Sequence, residues 1–359
     1  TTPPPVVELD PEDDFTVTTA EFKAACEQAQ GNAVVLLHSV KISNGGAAQE
    51  HIAAGCTLIL GANVKLEVED ANITFDGPVS LQSSQNAEVI FKQSRFTAPT
   101  LNFNLTGAKA ALSAQNSTLH AEGGDLLIAL GNESKLQIVG QFSGNEDALS
   151  SAATVQIRGG TKFLGEFTGA SVYAPTSFQL DLTGAEAVLK ITGSSFASPE
   201  GSITVAASSS RTLVEMNNAG LLFQTTAAIR VNGADGTIKL NQSDFGSFSG
   251  GPTSGGVTIE AGTATAARGV VEVSEASINS VGSVIVRASK GGSSGVLKFE
   301  KSAVGAAGDV LLESGSQGKT EVKDSNITSG TKIRIATGAG GSCSSGSNNL
   351  IAPVVQQCP

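Results

Sequence analysis

Residues 65–75 read KLEVEDANITF and residues 319–329 read KTEVKDSNITS, the same skeleton repeated at a distance of about 250 residues. A globular domain makes no demand that distant segments look alike. A solenoid does, because every coil meets the same neighbours on both sides. Further copies are EVIFKQSRFTA from 88, VLKITGSSFAS from 188, TIKLNQSDFGS from 237, VVEVSEASINS from 270 and VLKFEKSAVGA from 296. With Val68 as the anchor of the repeat, its equivalents are Phe91, Ala114, Ile138, Ile191, Met216, Leu240, Val273, Phe299 and Val322. Most steps are 23–26 residues; the step from Leu240 to Val273 is 33, and KFLGEFTGASV from 162 fits the pattern only loosely.

A second alternating segment follows most anchors: Val79 and Leu81, Leu101 and Phe103, Leu126 and Ile128, Ile203 and Val205, Ile229 and Val231, Val284 and Val286, Val310 and Leu312, Ile333 and Ile335. Alternation of period two gives each strand one inward and one outward row. Gly- and Ser-rich punctuation such as SKGGSSG and SGSQG separates the segments. Small residues recur three positions after the anchors, at Ala71, Ser94, Ser117, Ser194, Ala219, Ser243, Ala276, Ser302 and Ser325, and predict a corner too tight for larger side chains. A leucine-rich repeat is excluded, since its L-x-x-L-x-L spacing with Asn at a fixed site is missing.

From residue 55 to 337 this pattern resembles the right-handed parallel β-helix superfamily, which includes pectin-lyase-like enzymes, phage tailspikes and autotransporter passengers. The resemblance lies in architecture, not in a diagnostic motif. It implies an all-β, single-stranded solenoid of about eleven coils.

An open solenoid exposes strand edges at its ends, which natural proteins cover. TTAEFKAACEQAQG at 18–31 predicts a capping helix: Thr18 or Thr19 before it, Glu21 in its first turn, Phe22, Cys26 and Ala29 on one face, Gly31 to stop it. The four cysteines form an early pair, Cys26 and Cys56, and a late pair, Cys343 and Cys358. This grouping predicts two disulfides at the ends and an oxidising compartment. A shared metal site is disfavoured, because there is no C-x-x-C and His38, His51 and His120 are far from the late pair in sequence. The expected organisation is thus an extended acidic arm over 1–14, a cap over 15–54, the β-helix, and a cap over 338–359 in which the disulfide closes the segment and LIAPVV covers the last coil. The arm, with Pro3, Pro4, Pro5, Val6 and Val7, cannot fold alone and is a candidate assembly element. Residue 1 is Thr and no leader pattern is present, which fits a secreted chain whose signal peptide has been removed.

The charge of -11 disfavours nucleic acid and anionic membrane as partners, and no apolar run is long enough for membrane insertion. The β-helix enzymes that the chain resembles cut acidic polysaccharides with an Asp trio, or with calcium-binding carboxylates and an Arg or Lys base. Here G-H-G, N-T-D and R-I-K are all missing, KIRIATG at 332–338 is a distant echo, and the sole Asp-Asp pair, Asp13 and Asp14, falls in the arm. G-x-S-x-G is missing too, and three scattered histidines select no particular serine. No catalytic residue, cofactor or metal ligand is expected.

The charges on the repeats have a structural reading instead. The position before each anchor runs Lys190, Glu215, Lys239, Glu272, Lys298, Glu321, alternating in sign, and Glu275, Lys301 and Asp324 form a shorter series. In-register parallel strands set such residues side by side, a gain of about 0.2–1 kcal/mol per pair. Aromatic content gives no evident sugar-binding platform: there is no Trp, Tyr173 is the single Tyr, and Phe91, Phe96, Phe103, Phe196, Phe245 and Phe299 fall on inward positions. Six N-x-[S/T] sequons, at Asn72, Asn104, Asn116, Asn132, Asn241 and Asn326, are candidate N-glycosylation sites. These features favour a non-enzymatic secreted structural protein whose partner is itself, in a filament, wall or surface layer. The alternatives are an adhesin that binds an extracellular glycan through loops 143–151 and 247–256, and a divergent polysaccharide lyase or hydrolase.

Overall fold

The computed structural model describes residues 7–8, 16–44, 49–142, 146–248, 255–262, 268–289 and 294–358. Pro3, Pro4, Pro5 and Val6, most of 247–256 and part of 143–151 lie outside the described residues. The chain is a parallel β-helix with one helix among the described residues, and divides into two units, Thr1–Pro175 and Thr176–Pro359.

Each coil carries three strands rather than two. In the first unit one coil consists of Lys65–Glu69 on the first face, Asn72–Phe75 on the second and Val79–Ser83 on the third. Each strand pairs in parallel with its counterpart one coil on: Val68 with Phe91, Ile73 with Phe96, Val79 with Leu101. The anchors run in register through Phe91, Ala114 and Ile138. The second unit repeats the plan, with Ile191, Met216, Leu240, Val273, Phe299 and Val322 in one row. About thirteen turns replace the expected eleven.

The loosely fitting coil is a regular one. Leu164–Thr168 pairs with Lys135–Val139, and Phe167 is its anchor opposite Ile138. Gly165 stands opposite Leu136, so the apolar pair is broken there. The buried ring of Phe163 packs close over Gly159, where an added Cβ would lie 2.5 Å from the ring.

The interior is lined mainly by apolar side chains. All the inward Phe residues named above are at most 1 % exposed, each contributing about 1.5–3 kcal/mol of hydrophobic stabilisation. In the first unit the rings form a chain, Phe75 to Phe96 at 5.0 Å, Phe96 to Phe91 at 5.3 Å and Phe91 to Phe103 at 5.9 Å between centroids.

Two corners per coil bend the chain through the left-handed region. Asp70, Gln93 and Asn116 do so between first and second faces, and Asn63, Asn86 and Lys109 between third and first. Behind the first of these corners the expected small residues are all buried. Their serines are also bonded: Ser94 Oγ donates to the Lys92 carbonyl at 2.7 Å and accepts from the Ala71 N–H at 3.1 Å, while the Ser94 N–H donates to Ser117 Oγ at 3.1 Å. Ser302 and Ser325 repeat the arrangement in the second unit. At the turn between second and third faces Gly77 stacks on Gly55 so closely that a Cβ on Gly77 would lie 2.3 Å from the Gly55 nitrogen.

The helix, Thr19–Ala29, starts from Thr18 in a reciprocal capping box with Glu21 and ends at Gln30 in the left-handed region. It buries Phe22, Cys26 and Ala29. The Cys26–Cys56 disulfide ties it to Cys56–Leu60, and Lys23 pairs with Glu50 at 3.2 Å. Coil pairing nevertheless starts earlier than residue 55: Ala33–Leu36 pairs with Cys56–Leu60, Val40–Ser43 with Lys65–Glu69, and Thr16–Thr18 with Val40–Ser43. Val7 and Glu8 add a short strand beside Val34 and Val35.

At the other end the segment after 337 does not fold over the last coil. It makes another one, with Ser342–Gly346, Asn349–Ile351 and Val354–Gln357 in parallel register. LIAPVV supplies parts of two of these strands, and Ile351, Val354 and Val355 are exposed. The Cys343–Cys358 disulfide joins the first-face strand to the residue after the third-face strand.

Candidate functional site

The outward rows are where chemistry would have to sit. On the first face of the second unit the anticipated charge ladder is in register at every step from Lys190 to Glu321. Glu272 sits between Lys239 at 3.4 Å and Lys298 at 3.5 Å. Glu321 turns instead to Lys323 and Lys319 of its own strand, and their hydrogen bonds, Lys323 first, hold its carboxyl down at about 2. Glu275, Lys301 and Asp324 occupy left-handed corner positions, where Glu275 accepts from Gln242 at 2.9 Å.

Two further ladders escaped sequence reading. On the third face of the second unit Arg230, Glu260, Arg287 and Glu313 are in register. Arg287 reaches Glu260 at 2.7 Å and Glu313 at 2.5 Å, all three side chains being largely buried. At the corner between third and first faces Lys109 and Lys162 flank Glu133 in the first unit, at 3.9 and 4.0 Å. In the first unit Glu67 is held between Lys65 and Lys92; burial pushes its carboxyl up, but the two lysines outweigh this and the net shift is downward. Most of these pairs join coil to coil, whereas those of Glu67 with Lys65 and of Glu321 with Lys319 and Lys323 lie within one strand.

The sequons separate by environment. Asn104 and Asn326 are exposed on outward strand positions. Asn132 Oδ1 accepts from the Thr161 N–H at 2.9 Å, Asn241 Oδ1 accepts from Ser274 at 3.1 Å, and Asn116 is a left-handed corner residue. Asn72 has a buried Oδ1 that lacks a partner.

Asn72 belongs to the most unusual polar cluster of the described residues. On the second face of the first unit Thr74, Thr97, His120, Ser150 and Tyr173 stand in one outward row. Asn72, Arg95 and Thr118 stand in the row beside it. His120 Nδ1 lies 2.8 Å from Ser150 Oγ, so the structure joins a histidine and a serine that the sequence left unconnected. Burial holds the imidazole below its usual pKa, against the pull of Glu122 and with that of Arg95. Arg95 Nη1 reaches Glu146 at 3.4 Å, which brings the described part of the 143–151 loop onto the face. Arg95 Nε, Thr97 Oγ1, Thr118 Oγ1 and Glu146 Oε2 are buried without a hydrogen-bond partner.

This is not a nucleophile arrangement. Ser150 is 8 % exposed on a strand, and among the described residues no carboxylate bonds to His120 Nε2. Nor do paired carboxylates line the hollows of ≈ 440 Å³ around Arg268 and Lys319 or ≈ 500 Å³ around Arg334 and Gln356 in the second unit. Among the described residues no His, Cys, Asp or Glu group is arranged to hold a metal ion. The aromatic expectation needs correction: Tyr173 is 37 % and Phe142 39 % exposed, one on the face itself and one at the start of the loop.

Fold and surface together define a disulfide-bonded parallel β-helix protein. In comparison with known proteins the chain matches no family model, no curated sequence and no solved structure.

Proposed function

We propose that the chain is a non-enzymatic, secreted structural protein, a β-helical subunit of an extracellular filament, wall or surface layer. The observation that carries this reading is the use of outward side chains: in each unit ion pairs join one coil to the next, as with Glu133 between Lys109 and Lys162 and with Arg287 between Glu260 and Glu313. Such ladders stiffen a solenoid by adding cross-strand attraction from coil to coil. Two disulfides support an oxidising, extracellular location, and no helix among the described residues is long and apolar enough to cross a membrane. The intended partner is a second copy of the chain.

The arm is the proposed assembly element, and Val7 and Glu8 qualify how it is tested. They pair with the chain's own Val34 and Val35, so deleting 1–14 also strips an edge strand. Deleting 1–6 spares that strand. Light scattering of both truncated proteins should show loss of assembly in each; unchanged assembly of both removes the arm from the mechanism. A second reading, a glycan-binding adhesin, is favoured by the contact of Arg95 with Glu146, a described residue of the 143–151 loop. The other loop of that reading, 247–256, lies mostly outside the described residues.

A further inference from the structure

We infer that the coil formed by Ser342–Gly346, Asn349–Ile351 and Val354–Gln357 docks end-on against the Val7–Glu8 edge of a second copy, so that copies join head to tail. The inference rests on the self-assembly reading and names the surface through which one copy meets the next.

The core is open at this coil. In the coil before it the inward residues Val322, Ile327, Ile333 and Ile335 are at most 1 % exposed. Their register partners are Ser345, Leu350, Val355 and Gln357, and Val355 is 40 % exposed. Ile351 and Val354 add exposed apolar surface beside it, at 56 % and 47 %. The backbone is open as well. The Val354 N–H donates to the Thr331 carbonyl at 3.3 Å and the Cys358 N–H to the Ile335 carbonyl at 2.9 Å. Backbone groups alternate sides along a parallel strand, so the N–H and C=O of Val355 and Gln357 turn to the other side, where no described strand pairs. Natural edges are guarded by charged residues or proline. Residues 338–359 contain no charged residue, and neither Pro353 nor Pro359 falls within a strand.

Strand direction and charge select what covers this edge. The open side of Val354–Gln357 is the side that Lys332–Thr337 turns towards it, and it takes the opposite edge of a parallel strand. Val7–Glu8 offers such an edge: it pairs with Val34 and Val35 on one side and with no described strand on the other. Arg334 stands opposite Gln356, one strand back from the open edge, and among the described residues neither it nor Lys332 makes an ion pair. Two tails meeting would bring these cations together. The head is acidic in sequence instead, with Glu8, Asp10, Glu12, Asp13 and Asp14 and no base in residues 1–14. Opposite charges across the joint favour head to tail over either like pairing. A heterologous contact of this kind repeats from copy to copy, as a filament requires.

Sedimentation velocity of the full-length, non-reduced protein tests the joint with two tail variants. Val355→Lys sets a charge in it, and Gln357→Pro removes an N–H that the chain's own ladder does not use. Both residues are exposed in the single copy, so the variants should keep the wild-type melting temperature, and one that does suffices. Each should raise the dissociation constant of assembly by about tenfold or more. The protein lacking residues 1–14, and with them Val7 and Glu8, should also stay monomeric by itself. Mixed, the two kinds complement: Val355→Lys brings an intact head, the deletion an intact tail, and a one-to-one heterodimer should form. Assembly unchanged by a folded tail variant, dimers of the deletion protein by itself, or a mixture without heterodimer overturns the inference while self-assembly stands. A wild type that stays monomeric at every concentration overturns the self-assembly reading and this inference with it.

Discussion

The hydroxyl of Ser94 accepts a hydrogen bond at 3.1 Å from the backbone N–H of Ala71, its equivalent one coil earlier. The same oxygen donates at 2.7 Å to the Lys92 carbonyl, so one small side chain both fits the corner and stitches two coils. Ser94→Ala should therefore cost about 1 kcal/mol, the net worth of a buried hydrogen bond with some loss from the orphaned N–H. Ser94→Leu should cost more, since the corner is fully buried and overpacking adds about 1–3 kcal/mol. Urea denaturation monitored by circular dichroism ranks the two variants; equal midpoints for wild type and Ser94→Leu would show that the corner is not sterically closed.

Arg287 lies between Glu260 and Glu313 with about one seventh of its side chain exposed, 15 %. Arg287→Ala would leave the poorly solvated Glu313 without its cation and Glu260 with Arg230 alone. The expected loss is about 2–4 kcal/mol, larger than for an exposed pair. Adding Glu313→Gln should recover part of it, and a double-mutant cycle in urea measures the coupling.

Glu321 gives a pH signature. Its folded pKa of about 2 is below the ordinary 4.5, so the unfolded chain takes up the proton first as pH falls. The stabilisation is complete above about pH 5 and is lost between there and pH 2. Wild type should melt higher than Glu321→Gln at pH 6, and the two curves should converge towards pH 2. Because Lys319 and Lys323 are about half exposed, 1 M salt should narrow the difference at pH 6.

The Cys26–Cys56 bridge spans 30 residues and fastens the helix to the coils. Replacing both cysteines with serine should weaken the helix attachment by about 3.6 kcal/mol on loop-closure grounds. Hydrogen exchange should then rise over Thr19–Ala29 while Lys65–Glu69 and later strands keep their protection. Uniform loss of protection along the chain would mean that the cap nucleates the whole solenoid.

The sequence disclosed what period two makes visible. Val68 and its equivalents, and the Val79–Leu81 type of pair, each place two inward apolar residues on one strand, so they stand out. The second-face strands stand out less, because the second of their two inward positions is often small, as with Ala98 after Phe96, Ala121 after Leu119 and Ser198 after Phe196, although Ile73 and Phe75 are both large. Gly165 hid a coil by breaking the apolar pair that precedes the Phe167 anchor. The last coil was read as a cap because Ser, Gly and Asn replace its apolar residues, although its backbone register continues. The charge ladder before the anchors was legible since its residues sit one position from a marked row. The Arg95, His120 and Ser150 cluster was not: the 30-residue separation of His120 and Ser150 includes the loop that offsets the repeat, and only the register across it brings the two side chains together.

Electron microscopy of the purified, non-reduced protein at near-neutral pH tests the structural reading most directly. The account predicts ordered filaments or sheets, lost on deletion of residues 1–14. Isolated particles at every concentration tried would contradict it and leave binding as the protein's role.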